Sequence, residues 1–269
     1  LQILRRTSPC HPVRVWLEDR AKHIVHNLAT QIICVSQAVL QDISRNYGIP
    51  ESKLKMFHNT IADPLPSLNK AKGNSDRRHK LICIGGMSSL AKGQDVLIWA
   101  LGILKDAYPD LSAEFIGGGK LLMDFYKNLA RQLKIDDRCF FMGALPHSEV
   151  LERISAASVT VMPSRTEAFG NVCIESLAVG TPVVASRVDG IPEIIRDSVD
   201  GLLFRPEDAQ DLADKLQTIL SDSSLRERLR QKGRERFLTR FEQGCQLEIQ
   251  ACWLEDLVQK TLKGRKNTG

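Results

Sequence analysis

From residue 81 onward, short apolar segments alternate with longer segments of helical, amphipathic period. The apolar segments predict strands at 81–86, 113–118, 138–143, 158–163, 182–186 and 201–204. The segments between them predict helices at 92–107, 120–134, 147–156, 171–179 and 191–196, with further helices from 208 onward. This alternation predicts an α/β fold, a doubly wound parallel sheet with helices on both faces. In such sheets a ligand binds outside the carboxyl ends of the strands.

A shorter alternating unit precedes this region. A helix is predicted at 13–29, a strand at 31–36, a helix at 37–48 and a strand at 53–59. Residues 60–80 then combine two prolines with Asn, Gly and a cluster of charges, which is typical of a linker. We therefore predict four parts: residues 1–60 as the end of one domain, 61–80 as the linker, 81–242 as a ligand-binding domain, and 243–269 as a carboxyl-terminal helix and tail.

The composition excludes several classes of protein. The 269 residues are 43% hydrophobic and 26% charged, which suffices for a full core. No run approaches the ~18 apolar residues of a membrane span, and no signal segment opens the chain, so a cytoplasmic protein is expected. The seven cysteines form no CxxC pair and mostly lie in apolar segments. They are interpreted as reduced core residues, and no metal site is predicted.

The net charge of +5 is concentrated in residues 225–240, which hold seven Arg or Lys and two Glu. A solvated helix face with Glu and Arg pairs is the favoured interpretation. The alternative is peripheral contact with anionic lipid at the inner face of a membrane. Nucleic acid binding is not predicted, because aromatic residues other than Phe237 are absent from the stretch.

Familiar catalytic signatures are missing. In residues 117–122, Leu122 stands where a dinucleotide fingerprint needs glycine, and Leu121 follows Lys120 where a Walker-type loop needs Ser or Thr. The sequence contains neither HExxH nor GxSxG. Dehydrogenase, P-loop nucleotidase, zinc peptidase and serine hydrolase activities therefore lose support.

Residues 163–186 carry the most distinctive pattern. A strand ends at Pro163, a loop carries Glu167, and Gly170 opens a helix that contains Glu175. The free amides of residues 169–172 at that helix start form a ready anion site for phosphate. Because helical side chains lean toward the helix start, Glu175 points at the bound anion. Hydroxyl groups, such as those of a ribose, would have to stand between the two charges.

A second loop, residues 84–95, places glycines and Lys92 before the next helix. A Lys at a helix start opposes the helix dipole, so its position suggests that an anion binds there. An exposed Lys that tolerates this small cost is the alternative.

These segments, with "FIGGG", "MGALPHSEV" and "DGLLFRPED", resemble the carboxyl-terminal donor-binding domain of retaining glycosyltransferases of family 4. The likeness covers roughly residues 31–260, and its most specific mark is the pair of glutamates at 167 and 175. It implies a Rossmann-like donor domain of a two-domain GT-B enzyme. Residues 1–60 then look like the last part of the amino-terminal acceptor domain.

The resemblance assigns the donor pyrophosphate to Lys92, the sugar hydroxyls to Glu167 and the ribose to Glu175. Lys92 and Glu167 are the residues that it implies to be catalytic. The donor-binding set that it implies is Gly85, Gly86, Lys92, Leu145, Glu167, Phe169, Gly170, Asn171, Val172 and Glu175. Two departures from the family pattern stand out: Gly86 occupies the place of a common Arg, and Asp189 with Gly190 replaces a Gly-Gly pair.

The implied activity is transfer of a hexose from a UDP- or GDP-linked sugar to an acceptor hydroxyl, with retention of configuration. Neither a metal nor a further cofactor is implied. The acceptor would be a sugar, a lipid-linked molecule or another hydroxyl compound, as in polysaccharide or glycolipid biosynthesis. Because only the end of an acceptor domain is identified, we expect this chain alone to be incomplete as an enzyme. A non-catalytic nucleotide-sugar-binding subunit and a nucleotide-sugar epimerase of the same architecture remain as alternatives.

Overall fold

The computed structural model describes residues 28–68 and 79–266. Residues 28–68, the amino-terminal unit, contain strand β1 (Ile32–Cys34), helix α1 (Gln37–Tyr47) and strand β2 (Leu54–Met56). The two strands pair in parallel in a separate small sheet. Helix α1 begins after Ser36, whose hydroxyl accepts from the Val39 amide, and ends at Gly48 in a left-handed conformation with φ of 63°. The helix predicted at 13–29 lies almost entirely outside the described residues.

The main sheet has six parallel strands in the order β5-β4-β3-β6-β7-β8. These strands are β3 (Lys80–Ile84), β4 (Ser112–Ile116), β5 (Cys139–Gly143), β6 (Val159–Met162), β7 (Val183–Ser186) and β8 (Leu202–Phe204). The chain starts in the middle of the sheet, adds strands on one side and then returns to add strands on the other. The predicted doubly wound fold is therefore confirmed, and the switch point lies between β3 and β6.

Helices connect successive strands and continue beyond the last one. They are α2 (Gln94–Leu104), α3 (Met123–Gln132), α4 (His147–Ala156), α5 (Asn171–Val179), α6 (Ile191–Ile194), α7 (Ala209–Ser221), α8 (Ser223–Arg240) and α9 (Gly244–Lys266). The prediction for α2 was wrong at its start, because Lys92 lies in a separate 3-10 turn, Leu90–Lys92. Gly93 follows with φ of 67°, and a Cβ there would lie 1.9 Å from the Pro163 carbonyl oxygen. Only glycine allows this close approach, and the α-helix starts after it.

Side chains on both faces of the sheet are buried. One cluster packs the sheet against α2, α3 and α7, and another packs it against α5, α6 and α8. Strand β7 shows the alternation, because Val184 belongs to the first cluster while Val183 and Ala185 belong to the second. Two covered faces explain why every residue of the inner strands β6 and β7 is buried, whereas the edge strand β5 is partly exposed.

The cysteines only partly match the prediction of core residues. Cys34, Cys83, Cys139 and Cys173 are buried and unpaired. Burial raises the pKa of Cys83 to about 12, so its thiol stays protonated and unreactive. The two cysteines of α9 differ from the prediction, because Cys245 is half-buried and Cys252 is exposed. Cys10 lies outside the described residues.

The carboxyl-terminal helices pack against the amino-terminal unit. Trp253 on α9 contacts Phe57 edge-on, with 5.3 Å between the ring centroids. Ile61 forms a parallel bridge with Glu242, and Asp63 forms an ion pair with Arg234. The start of the predicted linker is thus held on α8. The domain boundaries themselves stay a prediction. No helix in the described ranges has both the length and the apolar character of a membrane span.

Candidate functional site

Lys92 and Glu167 meet at the carboxyl edge of the sheet, although 75 residues separate them in the sequence. The Lys92 ammonium donates to Glu167 Oε2 over 2.5 Å. Lys92 comes from the loop after β3 and Glu167 from the loop after β6, and both strands end at this edge. The Lys92 side chain is 33% exposed and that of Glu167 14%. An open, partly solvated pair of this kind can exchange its internal contact for a ligand.

The start of α5 borders this pair. Gly170 precedes the helix with φ of 115°, and a Cβ there would lie 3.7 Å from Glu167 Cγ. Within the described parts of the chain, the first amide of the helix with a backbone acceptor is that of Cys173, which donates to the Gly170 carbonyl. The amides of Phe169, Gly170, Asn171 and Val172 are left available. Such a group of amides at a helix start attracts an anion.

Asp189 and Gly190 hold the loop that carries Glu167. We call residues 164–172 the donor loop. Asp189 accepts from the Thr166 hydroxyl over 2.7 Å and from the Glu167 amide over 2.8 Å. The Gly190 amide donates to the Glu167 carbonyl, and a Cβ on Gly190 would lie 2.6 Å from the Ala168 carbonyl oxygen. Sequence reasoning noted this pair only as a departure from a pattern, and the hydrogen bonds now give Asp189 a specific structural role.

Gly85 and Gly86 lie at the end of β3, and the Lys92 side chain packs against Gly85. A Cβ on Gly85 would lie 2.9 Å from Lys92 Cγ, whereas one on Gly86 would meet only the Gly118 carbonyl oxygen at 3.7 Å. Gly86, the position of the common Arg in the family pattern, therefore has room for a side chain.

Gln94 positions this glycine pair and was missed by sequence reasoning. Its side-chain amide donates to the carbonyls of Gly85 and Gly86 over 3.0 and 3.2 Å. The buried Tyr126 hydroxyl in turn donates to Gln94 Oε1 over 3.1 Å. Burial raises the pKa of Tyr126, which keeps its hydroxyl protonated as a donor. Gln94 opens α2 and Tyr126 lies on α3, so no local spacing in the sequence marks this pair.

Glu175 lies one turn into α5, and its side chain is 14% exposed. His147 Nε2, at the first residue of α4, lies 2.9 Å from Glu175 Oε1. His147 is 68% exposed, so a ligand can displace it. Leu145, two residues before His147, is partly buried beside the cluster that contains Ile82 and Ile116. The structure thus brings Glu175 and the "MGAL" turn to one edge, as the predicted site requires.

The basic stretch 225–240 forms most of α8 and pairs largely within the chain. Arg230 binds Glu227, which matches the predicted helix-face pairing. Arg234 and Arg236 were wrongly assigned to a solvated face. Arg234 binds Asp63 and the Ala178 carbonyl, and Arg236 binds the carbonyls of Glu193 and Ile194. These side chains are only 21% and 14% exposed because they join α8 to its neighbours. Contact with a membrane stays a prediction.

Three or more His, Cys, Asp or Glu side chains that could share a metal ion do not come together anywhere in residues 28–68 and 79–260. The predictions that no metal and no cofactor take part are not tested by this observation.

The chain matches the family "Glycosyl transferases group 1" over residues 67–236. It is 34% identical over 209 residues to a D-inositol 3-phosphate glycosyltransferase from Corynebacterium efficiens, covering 73% of this chain and 49% of the relative. The chain spans about half the length of the curated relatives it matches.

Two solved structures share its fold. A sucrose-phosphate synthase from Thermosynechococcus elongatus aligns with a TM-score of 0.76 and 25% identity, covering 91% of this chain and 62% of that one. The Anabaena protein HepE, solved with UDP and glucose, aligns with a TM-score of 0.72 and 22% identity, covering 91% and 67%. The architecture is that of GT-B glycosyltransferases, and the match over residues 67–236 places this chain in the glycosyl transferases group 1 family.

Proposed function

We propose that residues 81–242 bind a nucleotide diphosphate sugar, and that the protein transfers its hexose to an acceptor hydroxyl with retention of configuration. The observation that carries the proposal is the Lys92 and Glu167 pair beside the available amides of residues 169–172. This arrangement offers cationic and amide donors for a diphosphate and a carboxylate acceptor for sugar hydroxyls within one small region.

Each group has a distinct task. The Lys92 ammonium and the amides of α5 bind the diphosphate and stabilise the charge that develops on it as the bond to the sugar breaks. Glu167 accepts hydrogen bonds from hydroxyls of the sugar. When the sugar takes over Glu167, Lys92 is released from its internal ion pair and becomes available to the phosphate.

Glu175 is proposed to bind the ribose. Its carboxylate accepts from the ribose diol in place of His147, while the backbone around Leu145 borders the base. The short distance along α5 from the amides to Glu175 matches the one ester bond that separates a diphosphate from its ribose. HepE was solved with UDP and glucose, which favours UDP and a hexose as the first donor components to test.

Calorimetry with UDP-glucose, UDP, GDP and uridine tests donor binding. Lys92→Ala is expected to weaken the binding of UDP and UDP-glucose far more than that of uridine. An ammonium contributes mainly by its charge, and only UDP and UDP-glucose carry the diphosphate. Lys232→Ala is the matched control, since Lys232 is an exposed cation of α8 that pairs only with Glu235 in the described contacts. Equal losses for uridine and UDP in Lys92→Ala would contradict the assignment.

Product analysis tests the reaction. This chain alone is expected to bind the donor without transfer, so the reaction is tested in a form that carries a complete acceptor domain. Incubation of that form with a UDP-hexose and candidate hydroxyl acceptors, followed by mass spectrometry and NMR of the anomeric configuration, should show a glycoside with the configuration of the donor. An inverted product would contradict retention. An epimerised nucleotide sugar would indicate the epimerase, and donor binding without transfer by that complete form would indicate the binding subunit.

A further inference from the structure

We propose that Glu193 is a positioning residue that couples the amino-terminal unit to the donor loop and thereby sets the geometry at Glu167. The inference rests on the proposed function for its ligand, although the coupling itself concerns only residues that the structure describes. Glu193 lies on α6, outside the set of residues that would touch the donor.

The carboxylate of Glu193 binds the amino-terminal unit at three points. Its oxygens accept from the amides of Gln37 and Ala38 over 2.9 and 3.0 Å, at the start of α1. Glu193 Oε2 also lies 3.0 Å from His58 Nε2, just beyond β2. A carboxylate at a helix start satisfies free amides and the positive end of the helix dipole together. One side chain therefore binds both the start of α1 and the segment after β2.

The other end of α6 holds the donor loop. Asp189 and Gly190, which immediately precede α6, bind Thr166 and Glu167 as described above. Arg236 fixes α6 on α8 by donating to the carbonyls of Glu193 and Ile194. If Glu193 moves, α6 and the preceding Asp189 and Gly190 should move with it, and these two residues bind the backbone of Glu167.

The amino-terminal unit also contacts the donor loop directly. The fully buried Ser36 hydroxyl donates to the Ala168 carbonyl over 2.6 Å. The His58 ring stacks on Phe169, with centroids 5.1 Å apart and an angle of 20° between the planes. The side-chain amide of Asn59 donates to Asn171 Oδ1 over 2.9 Å.

These contacts converge on a short stretch. Residues 166–171 contact both the amino-terminal unit and the turn before α6. Glu193 connects these two parts, because it lies on α6 and binds the amino-terminal unit. Glu193 and His58 are 21% and 22% exposed, so the joint lies near the surface and can open without unfolding the core. Removing Glu193 should loosen the donor loop, while the base and ribose contacts near Leu145 and Glu175 keep their positions.

The first measurement is amide hydrogen exchange of the peptide that covers residues 164–172, in the full chain without ligand. Glu193→Ala should exchange about tenfold faster there, equivalent to about 1.4 kcal/mol of lost protection. Peptides from β6 and β7 should be unchanged. Glu235→Ala, an exposed glutamate of α8, is the control. Unchanged protection of residues 164–172 would overturn the proposal, whether or not any nucleotide sugar binds.

The second measurement is calorimetry of uridine and UDP-glucose. Glu193→Ala should lose about tenfold in UDP-glucose affinity, which is about 1.4 kcal/mol, and almost nothing for uridine. In the Glu167→Ala background the same change should cost much less, because the group that it positions is gone. Full additivity of the two losses, or equal losses for both ligands, would overturn the coupling.

Two further variants guard against global unfolding of Glu193→Ala. Glu193→Gln retains the shape and one acceptor oxygen and should recover part of the protection of residues 164–172. His58→Ala removes one of the three Glu193 contacts together with the stacking of its ring on Phe169, and it should therefore also speed exchange in residues 164–172. If the wild-type protein fails to bind UDP-glucose, the proposed function fails, and the exchange experiment still decides the coupling.

Discussion

Two ion pairs join the loop after β3 and the start of α2 to the loop after β6, and they differ in the exposure of the cation and in the number of hydrogen bonds that it makes. Arg165 binds both oxygens of Asp95, over 2.9 and 2.7 Å, and also binds Glu207 and the Leu90 carbonyl. The carboxylate of Glu167, two residues further along, accepts one hydrogen bond among the described residues, from the Lys92 ammonium.

The first pair is satisfied and enclosed. Arg165 and Asp95 are 16% and 13% exposed, and the hydrogen bond from Arg165 to Asp95 raises the pKa of the guanidinium above its usual range. A planar guanidinium matched to a carboxylate has little to gain from another ligand. Lys92, by contrast, is twice as exposed as Arg165, and its flexible ammonium has donors left over beside the free amides of α5.

The comparison shows that charge and proximity alone do not separate a structural pair from a binding pair. The decisive property is whether each donor and acceptor is already satisfied within the fold. Arg165 and Asp95 stabilise the carboxyl edge of the sheet. Lys92 and Glu167 lie at the same edge and keep hydrogen-bonding capacity that the proposed donor would use. The predictions below test this division.

The largest effect is expected on stability. Arg165→Ala should lower the free energy of unfolding by roughly 3 kcal/mol, because it removes four hydrogen bonds and leaves the mostly enclosed Asp95 without its partner. Lys92→Ala should lower it by only about 1 kcal/mol, because it removes a single hydrogen bond of a partly exposed side chain. Denaturant titrations measure both, and Arg187→Ala, which breaks a more exposed pair with Asp197, is the control. A larger loss in Lys92→Ala than in Arg165→Ala would reverse the comparison.

Glu175→Ala should act on binding instead. It is expected to weaken the binding of UDP-glucose by ~1.5 to 3 kcal/mol, because hydrogen bonds between the ribose and a charged group are lost. The fold should remain intact, since Glu175 contacts only the exposed His147 in the described hydrogen bonds. Calorimetry measures the affinity, with the exposed Glu152→Ala as control. Wild-type affinity in a folded Glu175→Ala protein would refute the ribose assignment.

Gly86→Arg tests whether the edge accepts a further cation. The free space at Gly86 indicates that an Arg fits, and an added charge near the diphosphate should tighten UDP binding by roughly 1 kcal/mol. Gly86→Ala is the control for the loss of glycine itself. Calorimetry with UDP compares the three proteins. Equal affinities would mean that Lys92 and the amides already satisfy the diphosphate.

Asp63 offers a smaller, pH-dependent test of a structural pair. The hydrogen bond from Arg234 holds the pKa of Asp63 below its usual value, so the pair stabilises the fold above about pH 4 and this stability is lost as the pH falls further. Asp63→Asn should cost roughly 1 kcal/mol at pH 7.

The difference between Asp63→Asn and the wild type should shrink below about pH 4, as urea unfolding at several pH values will show. Asp256→Asn, in an exposed pair with Lys260, should show no such change. If the difference in unfolding free energy between Asp63→Asn and the wild type does not vary with pH, the lost stability does not come from the ion pair.

Much of the fold could be predicted because the spacing of apolar residues along the sequence shows which face of a helix or strand is buried. Helices 147–156 and 171–179 were predicted with the bounds observed, since their apolar period and their neighbouring strands agree, and glycines flank the second helix on both sides. The start of α2 was misjudged because the 3-10 turn at Leu90–Lys92 and the Gly93 break depend on contact with Pro163, which is distant in the sequence.

The candidate site was predictable only where a local pattern marks it. Gly170 and the glutamates at 167 and 175 form such a pattern, because a glycine opens a helix and the spacing places the carboxylates near its start. Gln94, Asp189 and Glu193 were not predicted. Their roles come from hydrogen bonds to carbonyls and amides in other segments, and no spacing rule encodes such partners.

The sequence by itself determined the doubly wound sheet, its carboxyl edge and the glycine-opened helix start at that edge, because all three follow from local periodicity and from helix ends. Only the tertiary structure decided which of two neighbouring charges on the donor loop stays available to a ligand. Sequence analysis assigned a role to Glu167 and none to Arg165, although both are charged residues of the same loop. In the fold, Arg165 donates to Asp95, Glu207 and a carbonyl, whereas the described contacts of the Glu167 carboxylate are to Lys92 alone. The partners of a charged group come from distant segments, which meet only when the chain has folded.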